Sequence, residues 1–264
     1  MAFHMGYAME GTRPDIPGVG AVGKRSVALL HGISRRLHGM EERKYTFRHI
    51  SPGSGVGRHL RQIIDLLNYT KTSGSFYNAH SFPAGYSTLE IDGTKLAGQR
   101  NPIERFSRVP LDFSQMTVLD VGCNQGGMLF EIAGKIRHGV GIDYDAHMIN
   151  AANRIRSITK ANNLDFYVLD LEKENLDLIG DLIPDEKVNV AFLLSVCMWI
   201  RNWKQVVSLM PQVSEMLLFE SNGSRGQQDA QLAHVKTLYK MVRLLSERSD
   251  DDSSQKNRSL YLCA

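Results

Sequence analysis

Residues Val118 to Ala133 read VLDVGCNQGGMLFEIA. An apolar run ends in an acid, Asp120. A glycine-rich stretch follows, and then apolar residues at helical spacing. That order predicts a buried strand, a tight turn and a helix. Glycine lets a backbone turn sharply and approach a ligand with no Cβ in the way.

The pattern repeats beyond this stretch. GVGID (139–143) reads as a second strand and AHMINAANRIRSI (146–158) as a second helix. LDFYVLD, ending at Asp170, reads as a third strand and VNVAFLLS, from Val188, as a fourth. EMLLFES is a fifth, DAQLAHVKTLYKMVRLLS (229–246) reads as one long helix, and RSLYLCA is a last strand. Strands alternating with helices predict a mostly parallel α/β sheet with helices on both faces. The domain is expected over 111–264, behind an arm and cap over 1–110. In that cap RHLRQIIDLLNYT places Leu60, Ile63, Ile64 and Leu67 on one helical face, with Arg58, Arg61 and Asp65 off it. A short helix is expected from Ser26.

The bulk composition sets the frame. The chain has 264 residues, 42% hydrophobic and 22% charged, as in soluble globular proteins. Three separated cysteines, Cys123, Cys197 and Cys263, make neither a disulfide framework nor a zinc site and suit a reducing cytoplasm. The N-terminus lacks the basic start and apolar stretch of a secretory signal. No apolar window is long enough to span a bilayer. The net charge of +3 is uneven: Lys24 to Arg61 holds nine Lys or Arg against Glu41 and Glu42. That segment reads as a solvated helical face or as a surface for a phosphate-bearing partner.

In an open α/β sheet, ligands bind at the carboxyl ends of the strands. Three acids stand there. Asp120 precedes the glycines; its charge would repel a pyrophosphate and suit an ammonium group. Asp143, 23 residues later, can accept hydrogen bonds from ribose hydroxyls. Asp170 can accept from an exocyclic amine such as adenine N6. The dinucleotide fingerprint G-x-G-x-x-G is not met, which weighs against NAD. An alternating spacing, Gly122, Asn124 and Gly126, fits better, with asparagine at the middle glycine. Asparagine tolerates positive φ. A ligand with an ammonium, a ribose and an adenine but no phosphate is S-adenosylmethionine.

On these residues the stretch 113–262 resembles the class I S-adenosylmethionine-dependent methyltransferases. LDVGCNQGG resembles their first motif, GVGIDYD the second and VLDLE the acidic third. The resemblance implies a Rossmann-like, mostly parallel seven-stranded sheet whose last strand inserts antiparallel. It implies a cofactor site of Asp120, Gly122, Cys123, Asn124, Gly126, Asp143, Tyr144, Asp170, Leu171 and Ser195, with S-adenosylhomocysteine as product. The stretch ahead of the first motif is also similar in layout to the tRNA wobble-uridine carboxymethyl-transferring family, through Ile91, Asp92, Arg105 and Val109. The tryptophans of that family's segment are absent here.

Acceptor-side groups are expected after the fourth and fifth strands or in the cap. Glu220, at a strand's carboxyl end, is a candidate base, as are His80 and His234. Tyr77, Trp199 and Asn222 are candidate substrate contacts. Gln99 and Arg100 could reach the cofactor's carboxylate, and His147 the adenine edge. The expected acceptor is an oxygen or nitrogen of a small molecule, sugar or natural product. A nucleic-acid acceptor held by the basic segment is the alternative, and a non-catalytic partner subunit a third reading. No metal is expected.

Overall fold

The computed structural model describes residues 57–74, 79, 81–91, 93–248 and 257–264. All of them lie in one compact unit, Thr46–Ala264. The helix expected from Ser26, most of the basic segment, Tyr77 and His80 lie outside the described residues.

Helix α1 (Arg58–Thr70) is followed by a small antiparallel hairpin, β1 (Leu89–Ile91) and β2 (Thr94–Leu96), and by the short helix α2 (Pro102–Phe106). The alternation then begins. It runs β3 (Thr117–Val121), α3 (Gly127–Ile132), β4 (His138–Asp143), α4 (Ala146–Thr159) and β5 (Leu164–Val168). It continues with α5 (Leu178–Leu182), β6 (Val188–Leu194), a 3-10 turn (Cys197–Trp199), α6 (Trp203–Val213) and β7 (Ser214–Glu220). Helix α7 (Arg225–Leu238), β8 (Val242–Ser246) and β9 (Leu260–Cys263) complete the order.

The main sheet has seven strands in the order β5-β4-β3-β6-β7-β9-β8. Strands β3 to β7 run parallel, and β9 lies antiparallel between β7 and β8. This is the expected α/β architecture. Strand β3 is an interior strand buried at every position, which explains the apolar run that leads up to Asp120. Its side chains alternate between two cores. Leu119 and Val121 pack with Ile142, Leu193 and Met210 on one face. Val118 packs with Leu129, Ile149 and Phe192 on the other. Because β3 pairs with both β4 and β6, the chain leaves its carboxyl end toward opposite sides. A crevice opens at such a switch point.

Three sequence expectations are corrected. The long helix over 229–246 stops at Leu238, and Val242–Ser246 is a strand. Met241 and Ala264 exchange backbone hydrogen bonds at 2.8 and 3.0 Å, which starts the pairing of β8 with β9. A backbone ladder along the otherwise open edge of β9 outweighs local helical spacing. The third strand ends at Val168, so Asp170 sits in the loop beyond it. Asp65 is buried in α1, with Leu60, Ile63, Leu66 and Leu67. That helix packs against α4 and the β1–β2 hairpin, so its buried stripe is wider than one i, i+3, i+4 face.

Candidate functional site

The turn after β3 is built from three left-handed residues. Gly122 has φ 78°, Asn124 φ 52° and Gly126 φ 80°. A Cβ on Gly122 would lie 2.7 Å from Val196 Cγ2, and one on Gly126 would lie 2.6 Å from the Phe166 ring. Both positions therefore need glycine for conformation and for room. Asn124 stands where the alternating pattern asks for glycine, and its side chain compensates. Its Oδ1 accepts from the Gln125 N–H at 2.9 Å, an Asx-type local bond that supports the left-handed conformation. The N–H groups of Gly122 and Cys123 donate to the Ile142 carbonyl at 2.8 and 3.0 Å, tying the turn to β4.

Asp143 ends β4 and faces this turn. Its Oδ2 accepts from the Asn124 N–H at 2.8 Å and its Oδ1 from the Asp145 N–H at 2.9 Å. The Tyr144 N–H also bonds this carboxylate. A carboxylate offers about four acceptor directions, so three backbone donors still leave capacity for a ligand hydroxyl. Burial pushes the carboxyl up to about 6, against the backbone N–H bonds from Asp145 and Asn124. Asp120 is more enclosed. Its carboxyl is pushed up to about 7, first by burial and then by the Asp143 charge. Its Oδ2 has no hydrogen-bond partner among the described residues. A buried acceptor left in that state suits a cationic or proton-donating ligand.

Asp143 borders, and the enclosed Asp120 lies behind, a cleft of about 330 Å³. Its walls include Gly122, Asn124, Asp143, Tyr144, Asp170, Leu171, Ser195 and Trp199, all expected from the sequence. Asp170 accepts from the Glu172 N–H at 3.0 Å and from Lys173 Nζ at 2.7 Å. That hydrogen bond to Lys173 is the main reason its carboxyl lies below the usual range. Trp199 is 45% exposed and stands on the wall opposite Asp143's strand, in the turn after β6. Ser195 directly follows β6 in a left-handed conformation, φ 61°. Asp120, Cys123 and Gly126 do not line the cleft; they are enclosed residues of the strand and turn that shape it.

Several expected acceptor-side residues are placed elsewhere. Glu220 is 2% exposed and is gripped by Arg105 Nη2 at 2.7 Å, Arg100 Nη2 at 3.2 Å and the Ser195 hydroxyl, with Arg258 at 3.9 Å. A carboxylate so held is not a base open to a substrate. The same pairing takes Arg100 away from the cofactor role read from the sequence. Asn222 is fully buried and latches two loops. Its Nδ2 donates to the Ser195 carbonyl, its Oδ1 accepts from the Met198 N–H at 2.9 Å, and its N–H donates to Gln231 at 3.1 Å. It does not line the cleft. His234 packs edge-on against Trp203 and contacts the Ser208 hydroxyl at 3.0 Å, on the α6–α7 face. His147 stacks on Tyr69 at 4.9 Å and so fastens α4 to α1.

Two residues of the site escape a reading by motif. Tyr86 lines the cleft from the segment before the hairpin. Gln125, fully buried, donates through Nε2 to the Ala84 carbonyl at 2.7 Å and fastens that segment to the glycine turn. The position of Gln125 inside the turn was the one signal available for it. Among the described residues no group of three or more His, Cys, Asp or Glu is placed to hold a metal ion. Among them, too, no helix is long and apolar enough to cross a membrane.

This geometry has known counterparts. A family model described as a methyltransferase domain matches residues 112–257, more than half of the chain. Protein 235L of Invertebrate iridescent virus 6, itself a methyltransferase by inference, is 35% identical over 72 residues, which are 26% of this chain and 25% of the viral one. The chain thus matches a quarter of that relative's length. The N-terminal domain of EvdMO1, solved with SAH bound, is similar over 79% of this chain and 99% of its own, with a TM-score of 0.54 and 12% identity. WbdD is similar over 76% of this chain and 47% of its own, with a TM-score of 0.55 and 18% identity. Matched over residues 112–257, which hold β3 to β8 with Asp120 and Asp143 at the ends of β3 and β4, the chain belongs to the class I methyltransferase family, whose cofactor is S-adenosylmethionine.

Proposed function

We propose that the protein transfers a methyl group from S-adenosylmethionine to an oxygen or nitrogen of a small molecule, sugar or natural product. The observation that carries the reading is Asp143. It is held by the backbone N–H groups of Asn124, Asp145 and Tyr144 at the mouth of a left-handed turn and keeps part of its acceptor capacity for a ligand hydroxyl. Such a group suits a ribose diol. Asp170 and Leu171 are assigned to the adenine, and Gly122, Asn124 and Ser195 to the walls of the cofactor cleft. The field of Asp120 is assigned to the ligand's positive charge.

The cofactor supplies an electrophilic methyl on a sulfonium. The protein's part is alignment, proximity and exclusion of water. Trp199, with Ile200 and Val196 beside it, offers an apolar wall for the acceptor. Where the acceptor is a hydroxyl, His80 is the residue assigned to its proton, with Tyr77 as a contact. A neutral amine needs no base in the displacement itself. The EvdMO1 domain has also been crystallised in the presence of SAH and D-fucose, which makes deoxysugars the first acceptors to try here.

Titration calorimetry with S-adenosylmethionine, S-adenosylhomocysteine and NAD tests the cofactor. Micromolar binding of the first two and none of NAD is expected. Transfer of label from methyl-labelled cofactor to sugars, small amines, phenols and tRNA then sorts the acceptor. Incorporation into tRNA alone would replace the small-molecule reading.

A further inference from the structure

Ser195 is an anomaly at the wall of the cleft. It is neither glycine nor asparagine, yet its φ is +61°. A side chain in that region costs free energy and persists only where neighbours over-determine it. Three hydrogen bonds do so here. The Ser195 N–H donates to the Glu220 carbonyl at 3.0 Å. The Ser195 hydroxyl donates to Glu220 Oε1, and the Ser195 carbonyl accepts from Asn222 Nδ2. Two of the three come from Glu220.

Glu220 is itself held from a distance. Arg105 and Arg100 reach its carboxylate from the segment ahead of β3, 115 and 120 positions away in sequence. All three side chains are buried. The backbone of Arg100 also pairs with another residue of the lining. Its N–H donates to the Tyr86 carbonyl at 2.8 Å, and Tyr86 lines the same cleft. One buried carboxylate therefore holds Ser195 and, through Arg100, reaches Tyr86, a second residue of the cleft lining.

We infer that Glu220 is a positioning residue. It holds Ser195 in the left-handed conformation that shapes the cofactor cleft, and it links that conformation to the Arg100–Arg105 segment. The inference rests on the reading that the cofactor binds in this cleft. It replaces the role of base with a role in pre-organisation, in which groups that never touch the ligand set its affinity.

The test is S-adenosylhomocysteine affinity and melting temperature for Ser195→Ala, Arg105→Gln, Arg105→Lys and the double variant S195A/R105Q. Arg105 lines no part of the cleft. Arg105→Gln is expected to weaken binding about tenfold while the protein stays folded. Arg105→Lys should recover part of that loss. The double variant should bind no more weakly than the weaker single variant, because both act on one element. Parent-like affinity in folded Arg105→Gln, or losses that multiply in the double variant, would overturn the inference. Glu220→Gln is the stricter probe; if it fails to fold, the arginine and serine variants decide alone. Asp143→Ala separates the two readings. If it binds as the parent does, the cofactor is not in this cleft. If it loses affinity while Arg105→Gln does not, the cofactor reading stands and the positioning role falls.

Discussion

The backbone N–H of Asn124 and the Oδ2 of Asp143 lie 2.8 Å apart, so the turn after β3 and the end of β4 form one hydrogen-bonded unit. Asn124 itself adopts φ 52°, in the left-handed region of the turn. Asn124→Gly should preserve the turn and leave cofactor affinity within about twofold, since glycine adopts this conformation without strain. Asn124→Val should cost about 1–3 kcal/mol of stability, because a β-branched residue is out of place at positive φ. It should also weaken S-adenosylhomocysteine binding. Melting curves and calorimetry on the two variants check both statements. A valine variant that matched the parent would show that the turn is not under this constraint.

On the proposed ribose role, Asp143→Ala removes charge-assisted hydrogen bonds to the cofactor's ribose. The expected loss is about 1.5–3 kcal/mol of cofactor binding, or roughly 10- to 150-fold in affinity. Asp143→Asn should lose less, because the amide oxygen still accepts. Calorimetry with S-adenosylhomocysteine reads the difference.

Asp120 ties stability to pH in an unusual direction. Its folded carboxyl titrates near 7, above the ordinary value of 3.8. Between those limits the folded state holds a proton that the unfolded state has released. Stability without cofactor therefore falls as pH rises from about 4 to about 7. Asp120→Asn should remove that fall and raise the melting temperature at pH 8, by roughly 4–8 °C for a gain of about 2 kcal/mol. The same charge favours a cationic ligand, so affinity for S-adenosylmethionine should climb through pH 7 in the parent and stay flat in the variant. A variant that is less stable than the parent at pH 8 would contradict the assignment.

Gln125→Glu keeps the shape of the side chain and removes its donor. It leaves a carboxylate facing the Ala84 carbonyl at a fully buried position. The expected cost is about 2–4 kcal/mol, a fall of roughly 5–15 °C in melting temperature. Hydrogen exchange should rise first in residues 81–100, the segment that Gln125 fastens.

Much of the fold was legible because its central strands are largely buried on both faces and so read as predominantly apolar runs, as at Thr117–Val121 and Val188–Leu194. Strand β8 was not. Nothing in KMVRLLS breaks a helix, and its strand state depends on pairing with residues near position 262. The cofactor half of the site was legible for a related reason. Acids at strand ends keep a fixed relation to the sheet, so Asp120 and Asp143 could be placed from the strands alone. Glu220 obeys the same rule, yet its burial under arginines carries no signal in the sequence. What decides a carboxylate's role is its partners, and Arg100 and Arg105 reach it by tertiary contacts that no local pattern encodes. Tyr86 lies in a loop without periodicity and carried no signal.

The three cysteines have a further use. All are buried, and burial pushes Cys197 and Cys263 up to about 12 and Cys123 well above the usual thiol range. None can react with an alkylating reagent until its surroundings open and the thiol meets solvent. Cys123 sits inside the glycine turn, Cys197 begins the 3-10 turn after β6, and Cys263 ends β9. Each alkylation rate is therefore a clock on one part of the molecule. S-adenosylhomocysteine should slow the clocks at Cys123 and Cys197 more than the one at Cys263, and mass spectrometry of a labelling time course would read all three at once. The native thiols thus make ligand-linked breathing of the cleft measurable without any added probe.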